Sequence, residues 1–441
     1  MNGLRSDGRV AALTRRGWRA FDGLAGDALW SGAHDFAHLT TALTSFLLLQ
    51  RALELEEYGA YIGLYGLVGA FGAVSHSGVG LALLQRLMGA GDEPNGALRS
   101  FLSLGLLVGS IAAVIAIVVA VVSLRLTAVE IGLVMVAELV AVALVWLAAI
   151  GVQAASGFPA SVRVRMGIIA VRLVTLVALQ LAGRLTIANL AGGFLIGFSL
   201  YAGYLLAVHL PRHGYQVSFG RPSELAVRSS AMFSVPMGAS KMQTDADKYL
   251  LNVFRLEADA GLYGAAYRMV QLGTLPLLAL DSAAFQRYLP QGHGEPRIHW
   301  RRAVRLAGLM TAASLLVAGA LYLALPLLDF LFSEQFKEAI DIVPWLLLLI
   351  PFIATRSTPL NGLLGLGRAD KRMHIYLSSA VLSLLLYVIL IPSFSWRGAV
   401  VGTFVSEIYL VVVGWSALRY YQRKADEELD RQRADTVMSP A

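Results

Sequence analysis

The chain has 441 residues, of which 57% are hydrophobic and 15% charged, and its mean hydropathy is +0.64. A soluble domain carries about 25% charged residues, so this composition excludes an ordinary soluble protein and indicates that the lipid bilayer surrounds most of the chain. The absence of cysteine excludes disulfides and thiolate metal sites, and the net charge of +7 must be sorted by loop before any partner is inferred.

The first 30 residues form a basic N-terminal segment that we place in the cytoplasm. They include five arginines and the stretch RRGWRAFDGLAGDALW, in which aromatic and charged residues are interleaved. No apolar core with a small-residue cleavage site follows directly, so a cleavable signal is not expected. The segment either lies along the membrane interface or is a frayed terminus.

Apolar runs of helical length predict twelve membrane spans. They divide the chain into an N-lobe (31–209), an inter-lobe loop (210–228), a C-lobe (229–418) and a charged cytoplasmic tail (419–441). No predicted loop exceeds about 20 residues, so no soluble catalytic domain is expected, and the chain is not predicted to be an enzyme. The predicted spans are 33–50, 59–84, 100–124, 128–154, 166–183, 188–209, 229–252, 261–285, 303–325, 339–363, 375–392 and 399–418.

The basic residues predict the orientation of these spans. With the N-terminus inside, 25 of the 36 Lys and Arg residues fall in inner segments and six in outer loops. Because cytoplasmic loops carry an excess of Lys and Arg, both termini are predicted to be cytoplasmic.

A tyrosine-containing stretch occurs twice, 202 residues apart. Residues 47–68 (LLLQRALELEEYGAYIGLYGLV) and 249–270 (YLLNVFRLEADAGLYGAAYRMV) are identical at six of 22 positions. A parallel repeat of this kind predicts two lobes related by an axis along the bilayer normal, with the substrate path between them. The identical pairs are Leu48/Leu250, Leu49/Leu251, Gly59/Gly261, Tyr61/Tyr263, Tyr65/Tyr267 and Val68/Val270.

Span seven contains the densest group of charges, in SKMQTDADKYLL. At about 100° per residue, Lys241, Asp245 and Lys248 fall on one face of a helix, whereas Asp247 points well away from it. Ionisable residues inside a membrane usually face a cavity, so this face is a candidate substrate-binding surface. The alternative is a neutralised Lys–Asp–Lys cluster that only holds helices together.

Other charges lie deep in the predicted spans. Arg172, Arg268 and Arg356 could join the two lysines in a cationic chamber, and guanidinium groups suit phosphate because their donors form a planar fork. For each residue the alternative is a local salt bridge or a side chain that reaches the interface. The acidic residues at similar depth are Glu138, Asp281 and Glu407.

Span one begins with the sequence His-Asp-Phe-Ala-His at 34–38. Asp35 and His38 are candidates for ion coupling, together with Glu407, and the alternative is an interfacial cluster with no role in transport. The spacing differs from a zincin motif and lacks a third ligand, so no metal is predicted. Because no P-loop motif occurs, ATP is not expected, and the driving force would be an H⁺ or Na⁺ gradient, the membrane potential or the substrate gradient.

Span ten contains Pro344, Pro351 and Pro359, each of which removes a backbone donor and can bend the helix. The bend would serve either as a gate or for packing around a neighbouring helix.

Three stretches, in this order and spacing, resemble the polysaccharide transporter family of O-antigen-type (Wzx-type) flippases in the multidrug/oligosaccharidyl-lipid/polysaccharide (MOP) exporter superfamily. Asp247 and Lys248 occupy positions of the matching motif, and the resemblance extends over nearly the whole chain. The stretches are RALELEEYGAY at 51–61, DKYLLNVFRLEADAGLYGAAYRM at 247–269, and LLDFLFSEQFKEA at 327–339 followed by NGLLGLGRADKR at 361–372.

The resemblance implies an all-α integral membrane protein with about twelve transmembrane helices in two pseudo-symmetric six-helix lobes, arranged in a MATE-like V shape with alternating access. It implies that the chain flips an undecaprenyl-pyrophosphate-linked oligosaccharide, an O-antigen or exopolysaccharide repeat unit, from the cytoplasmic to the periplasmic leaflet of the bacterial inner membrane. Lys248→Ala and Arg268→Ala are each expected to reduce transport without loss of folded protein.

Other functions stay open. A lipid II or teichoic-acid-precursor flippase fits the same sequence features. A MATE-like drug or cation antiporter should have an acidic and aromatic cavity, which the deep basic residues disfavour. A membrane glycosyltransferase or polymerase is disfavoured by the short loops. No cofactor and no nucleic-acid partner are expected.

Overall fold

The computed structural model describes residues 30, 32–89, 93–288, 296–328 and 330–438, which form twelve long helices and short connections. Each predicted span overlaps one of these helices, and the all-α fold class is confirmed. Most of the N-terminal segment 1–30, for which an interfacial position and a frayed terminus are the two alternatives, lies outside the described residues. The helices are α1 (32–52), α2 (Leu55–Met88), α3 (Pro94–Ser123), α4 (Ala128–Ser156), α5 (Phe158–Leu181), α6 (Ile187–Arg212), α7 (Glu224–Val253), α8 (Glu257–Tyr288), α9 (Pro296–Leu323), α10 (Ala339–Leu347 and Ile350–Gly365), α11 (Ala369–Phe394) and α12 (Trp396–Met438).

Several helices begin at recognisable start signals. The Thr127 hydroxyl accepts a hydrogen bond from the Glu130 amide at 3.2 Å, and the Glu130 carboxylate accepts one from the Thr127 amide at 2.9 Å, which is a capping box at the start of α4. Helix α5 follows Gly157, whose φ of 85° suits glycine, and has Pro159 in its first turn. These signals place the start of α5 eight residues before the predicted span.

Among the described residues, eight helices are long and apolar enough to cross a membrane, and the bent α10 makes nine. Helices α1, α7 and α8 are not among them, although α7 and α8 pack against several other described helices. All three contribute polar residues to the lining of the central cavity described below, and a helix that faces a hydrated space does not need an apolar surface all round.

Helix α10 is broken between Leu347 and Ile350, where its two parts bend by 41°. Pro344 precedes the break and Pro351 follows it within the first turn of the second part. The bend predicted from the prolines is therefore present, since a proline cannot donate to the preceding turn.

The two copies of the repeated stretch pack against each other. A Cβ atom added at Gly59 would lie 1.8 Å from the Glu257 carbonyl oxygen, and one added at Gly261 would lie 2.6 Å from the Leu55 carbonyl oxygen. Leu55 is equivalent to Glu257 in the repeat, and Gly59 is equivalent to Gly261, because the residues of each pair are 202 positions apart. The glycine of each copy therefore contacts the same position of the other copy, and the contact is reciprocal. This reciprocity is what a local two-fold axis between α2 and α8 produces, and only glycine allows such a close backbone approach.

Hydrogen bonds join the end of α1 to the segment before α10. The Gln50 side-chain amide donates to the Leu331 carbonyl at 2.6 Å, and its oxygen accepts from the Ser333 amide at 3.3 Å. The Gln335 side chain donates to the Leu53 carbonyl at 3.0 Å. We call this set of bonds between 50–53 and 331–335 the closing contact.

An aromatic cluster packs beside the closing contact. Phe46 and Tyr58 from the first half of the chain meet Phe332 and Phe336 from the second half, with ring centroids 5.2 to 6.3 Å apart. All four side chains are buried. The two halves are thus sealed at the end that the orientation prediction places outside the cell.

Candidate substrate cavity

A cavity of about 630 Å³ lies between the two halves, bordered by α1, α2, α4, α5, α7 and α8. Along α2 its lining extends from Ile62 to Ser77, which is about 22 Å at 1.5 Å per residue. Tyr58, in the aromatic cluster, lies beyond the Ile62 end. The cavity therefore extends from the sealed end toward the opposite end of the helices.

In the second half, Lys248 lies between two carboxylates. Its Nζ is 3.2 Å from Asp245 and 3.1 Å from Asp247, it donates to the Thr244 carbonyl at 2.8 Å, and it lies 4.0 Å from the centre of the Tyr267 ring. Only 8% of the Lys248 side chain is exposed. Its positive charge is balanced within the protein.

Asp247 does not line the cavity. It is fully buried, and the Tyr263 hydroxyl donates a hydrogen bond of 2.6 Å to its second oxygen. The helical wheel correctly turns Asp247 away from the face of Asp245. It did not reveal that the flexible Lys248 side chain reaches both carboxylates.

The first half contains a comparable cluster. Arg172 forms an ion pair of 2.6 Å with Glu138, and the Tyr65 hydroxyl donates to the same carboxylate at 3.0 Å. The Arg172 guanidinium also lies 5.4 and 5.3 Å from the rings of Phe194 and Phe198. Tyr65 and Tyr267 are equivalent positions of the repeat, so each half presents a tyrosine, a carboxylate and a cation to the cavity.

Four lining residues come from π-helical turns, which are frequent at functional sites: Ala73, His76, Ser77 and Glu138. Glu138 lies in the turn Ala137–Ala141 of α4, and His76 lies in the turn Ala73–Gly78 of α2. Such a turn shifts the helix face by a fraction of a turn. The sequence contains no evident signal for either turn.

Lys241 and Arg268 are held less tightly than Lys248. The Lys241 side chain is 55% exposed and its Nζ lies 3.8 Å from Asp245. Arg268 donates to the Gln271 side chain at 3.0 Å and forms no ion pair with any described residue. Both cations therefore have donors available to a ligand in the cavity.

The described lining contains five Lys or Arg side chains and three carboxylates, which gives a net positive charge with neutral histidines. The cations are Arg165, Arg172, Lys241, Lys248 and Arg268, and the carboxylates are Asp35, Glu138 and Asp245.

The candidates for ion coupling separate into two places. Asp35 and His38 line the cavity from α1, and the Asp35 carboxylate lies 3.3 Å from the His34 ring. Glu407 on α12 instead pairs with Arg356 on α10 inside the second half, and neither residue lines the cavity.

Several lining residues were not singled out from the sequence as parts of a site, among them His76, Trp146 and Arg165. The predicted span begins at 166 and therefore leaves Arg165 in the inner segment before it. The glycine and proline that precede it mark the true helix start and could have placed it inside α5.

No protein-family model and no curated protein sequence matches this chain. Several solved structures share its fold. An inward-facing multidrug resistance MATE family transporter of the MOP superfamily aligns over 88% of this chain and 96% of its own length, with a TM-score of 0.65 and 13% identity. The MATE multidrug transporter DinF-BH, in complex with rhodamine 6G, aligns over 92% and 96% with a TM-score of 0.65 and 12% identity.

A third structure is a MOP superfamily transporter from Pyrococcus furiosus, for which reverse polarity of the binding pocket suggests a different function. It aligns over 91% of this chain and 96% of its own length, with a TM-score of 0.62 and 13% identity. The chain thus has the fold of MATE transporters, with two lobes of six helices. The resemblance to the MOP superfamily is confirmed for the fold, and the O-antigen-type subfamily stays a prediction.

Proposed function

We propose that this chain is an alternating-access membrane transporter whose cavity accepts an anionic substrate. The observation that carries the proposal is the balance of five cations against three carboxylates in the lining. An unpaired charge in a membrane is costly in free energy. The binding of an anion would lower that cost for the excess positive charge in this cavity.

The lining separates structural charges from charges available to a ligand. Arg172 and Lys248 are held by carboxylates, whereas Arg268 has no carboxylate partner among the described residues and Lys241 is half-exposed. We therefore assign ligand binding first to Arg268 and Lys241. The Lys248 and Arg172 clusters shape the walls between which the ligand passes.

Within this class we favour a lipid-linked oligosaccharide carried on undecaprenyl pyrophosphate. A pyrophosphate–sugar headgroup cannot cross about 30 Å of hydrocarbon unaided, and guanidinium groups bind phosphoryl oxygens through paired donors. The motif resemblance at 51–61 and 247–269 supports this substrate. The headgroup would move from the cytoplasmic to the periplasmic leaflet of a bacterial inner membrane when the two lobes rock about their interface.

A second candidate is the export of cationic drugs. It is favoured by the fold shared with DinF-BH, solved in complex with rhodamine 6G, and by the three carboxylates in the lining. For the Pyrococcus furiosus transporter, reverse pocket polarity suggests a different function. The net positive lining of the cavity in this chain likewise argues against a multidrug role.

The test is a leaflet-translocation assay in proteoliposomes, with a lipid-linked glycan in one arm and rhodamine 6G in the other. We expect transport of the glycan lipid, and we expect Arg268→Gln to reduce it by about tenfold, the value of a lost charge-assisted hydrogen bond. Arg163→Gln is the matched control, because Arg163 is exposed and does not line the cavity. Transport of rhodamine without the glycan lipid would replace the first proposal with the second.

A further inference from the structure

Arg165 occupies a corner of the cavity apart from the two charged clusters. Its guanidinium carbon lies 5.2 Å from the centre of the Trp146 ring and 5.4 Å from that of Phe158. The Trp146 ring in turn stacks on His76, with centroids 5.7 Å apart and planes inclined by 25°. Two aromatic rings therefore hold the arginine, and a third ring supports one of them.

No described carboxylate pairs with Arg165. Asp35 lines the same cavity, but it lies beyond ion-pair distance from this guanidinium and its nearest partner is His34. The Arg165 Nε is buried and has no hydrogen-bond partner among the described residues. Arg172, seven residues further along the same helix, has its charge balanced by Glu138 at 2.6 Å. The two arginines of α5 thus differ in what they can offer to a ligand.

Aromatic stacking fixes the orientation of a guanidinium without occupying its N–H donors. A carboxylate partner, by contrast, uses the donors that a phosphoryl group would need. Arg165 therefore combines a fixed position, a full positive charge and unoccupied donors. These properties suit an oxyanion that carries more than one acceptor oxygen.

We propose that Arg165, supported by Trp146 and Phe158, forms a second anion subsite that binds a phosphoryl group near the end of the cavity opposite the closing contact. The inference deepens the proposed function and rests on it. Arg165 precedes Arg172 by seven residues, which places it about 10 Å closer to the start of α5, on the side away from the closing contact. A substrate that enters from that side meets Arg165 before it reaches Arg268.

The same chemistry could come from the pyrophosphate of the substrate or from the headgroup of an anionic membrane lipid. The experiment titrates farnesyl pyrophosphate against the full chain in nanodiscs of phosphatidylcholine and measures the dissociation constant by calorimetry. We expect Arg165→Gln to weaken binding by about tenfold, as expected for a lost charged hydrogen bond. Arg163→Gln removes the same charge two residues away, outside the cavity, and should change binding less than twofold.

A parallel series in nanodiscs that also contain phosphatidylglycerol identifies the source of the phosphoryl group. If the anionic lipid weakens the binding of farnesyl pyrophosphate to the wild type but not to Arg165→Gln, the subsite accepts a lipid headgroup. If it has no effect on either protein, the subsite is specific for the substrate. Either result supports the subsite when it is found together with weaker binding by Arg165→Gln.

Two further variants keep the inference testable if Arg165→Gln folds poorly. Trp146→Phe keeps a ring against the guanidinium and should bind nearly as the wild type does, whereas Trp146→Leu should weaken binding by severalfold. Unchanged binding by Arg165→Gln, with weaker binding by Arg268→Gln, would overturn the subsite and leave the proposed function intact. Unchanged binding by both arginine variants would overturn both.

Discussion

Lys248 shows how a buried charge can be structural although it lies beside a cavity. It is close to two carboxylates, a backbone carbonyl and a tyrosine ring. Replacing it with methionine leaves Asp245 and Asp247 without their shared cation. Breaking a buried ion pair on one side costs about 3 to 5 kcal/mol, so we expect Lys248→Met to unfold at a markedly lower temperature in detergent.

The control for this prediction is Lys241→Met on the same helix. Lys241 is 55% exposed and lies 3.8 Å from Asp245, so its loss should change the unfolding temperature little. If the two variants unfold at the same temperature, the Lys248 cluster does not hold the helices together. The sequence-based expectation that Lys248→Ala leaves the folded protein intact is replaced here by an expected loss of stability.

The Glu138–Arg172 pair permits a second prediction at the residue scale. Glu138→Gln removes the only described carboxylate that pairs with Arg172 and should destabilise the first half, whereas Tyr65→Phe removes a single hydrogen bond to Glu138. We expect a loss of about 3 kcal/mol or more for the former and about 1 kcal/mol for the latter. Chemical unfolding of both variants in the same detergent measures the difference, and equal losses would contradict the assignment.

These residues indicate how far sequence reasoning extends. Hydropathy placed Lys241, Asp245 and Lys248 deep in span seven, and the helical period put them on one side of the helix. Neither property reveals which helix supplies the partner of a charge. The pairing of Arg172 with Glu138 joins residues 34 positions apart. Arg165 can be placed in the cavity lining only when the start of α5 at Phe158 is known.

At the scale of elements, the contact between α2 and α8 depends on glycine. A side chain at Gly59 would meet the backbone of Glu257 at 1.8 Å, and backbone cannot move aside as a flexible side chain can. We expect Gly59→Ala to separate the two helices and to lower the unfolding temperature substantially. The comparison is Gly132→Ala in α4, where an added Cβ has nothing within 4 Å and alanine improves helix propensity by up to about 1 kcal/mol.

Differential scanning fluorimetry of the purified proteins compares the two glycine variants. Gly132→Ala should unfold at or slightly above the wild-type temperature. A similar, small change in both variants would mean that the close approach of α2 and α8 is not required. The repeat identified residues 59 and 261 as equivalent positions, and the structure shows that they also lie next to each other.

Some elements could not be anticipated in this way. The three prolines of span ten predicted a bend, and the helix is bent by 41°. The π-helical turns at Ala73–Gly78 and Ala137–Ala141 have no such marker in the sequence. The closing contact joins residues about 280 positions apart, and an isolated sequence contains no information on such pairs.

For the whole molecule, alternating access requires that the sealed end opens while the cavity closes at the other end. The bonds of Gln50 with Leu331 and Ser333 hold the sealed end together in this conformation. Under the proposed function, opening must break these bonds, so they are a point at which the transport cycle can be stopped. The chain has no native cysteine, which allows a cysteine pair to be introduced without removing others.

We expect the double variant Gln50→Cys/Ser333→Cys to lose transport when the two thiols are joined by a short bifunctional cross-linker and to regain it when a cleavable linker is reduced. The Ser333 hydroxyl lies 3.2 Å from the Gln50 carbonyl, so the two positions are within reach of such a reagent. The control pair is Asn95→Cys/Gln216→Cys, whose positions are joined by a hydrogen bond of 2.9 Å far from the closing contact. Transport that continues after cross-linking of positions 50 and 333, measured in the same proteoliposomes, would mean that the substrate leaves by a route that does not require this end to open.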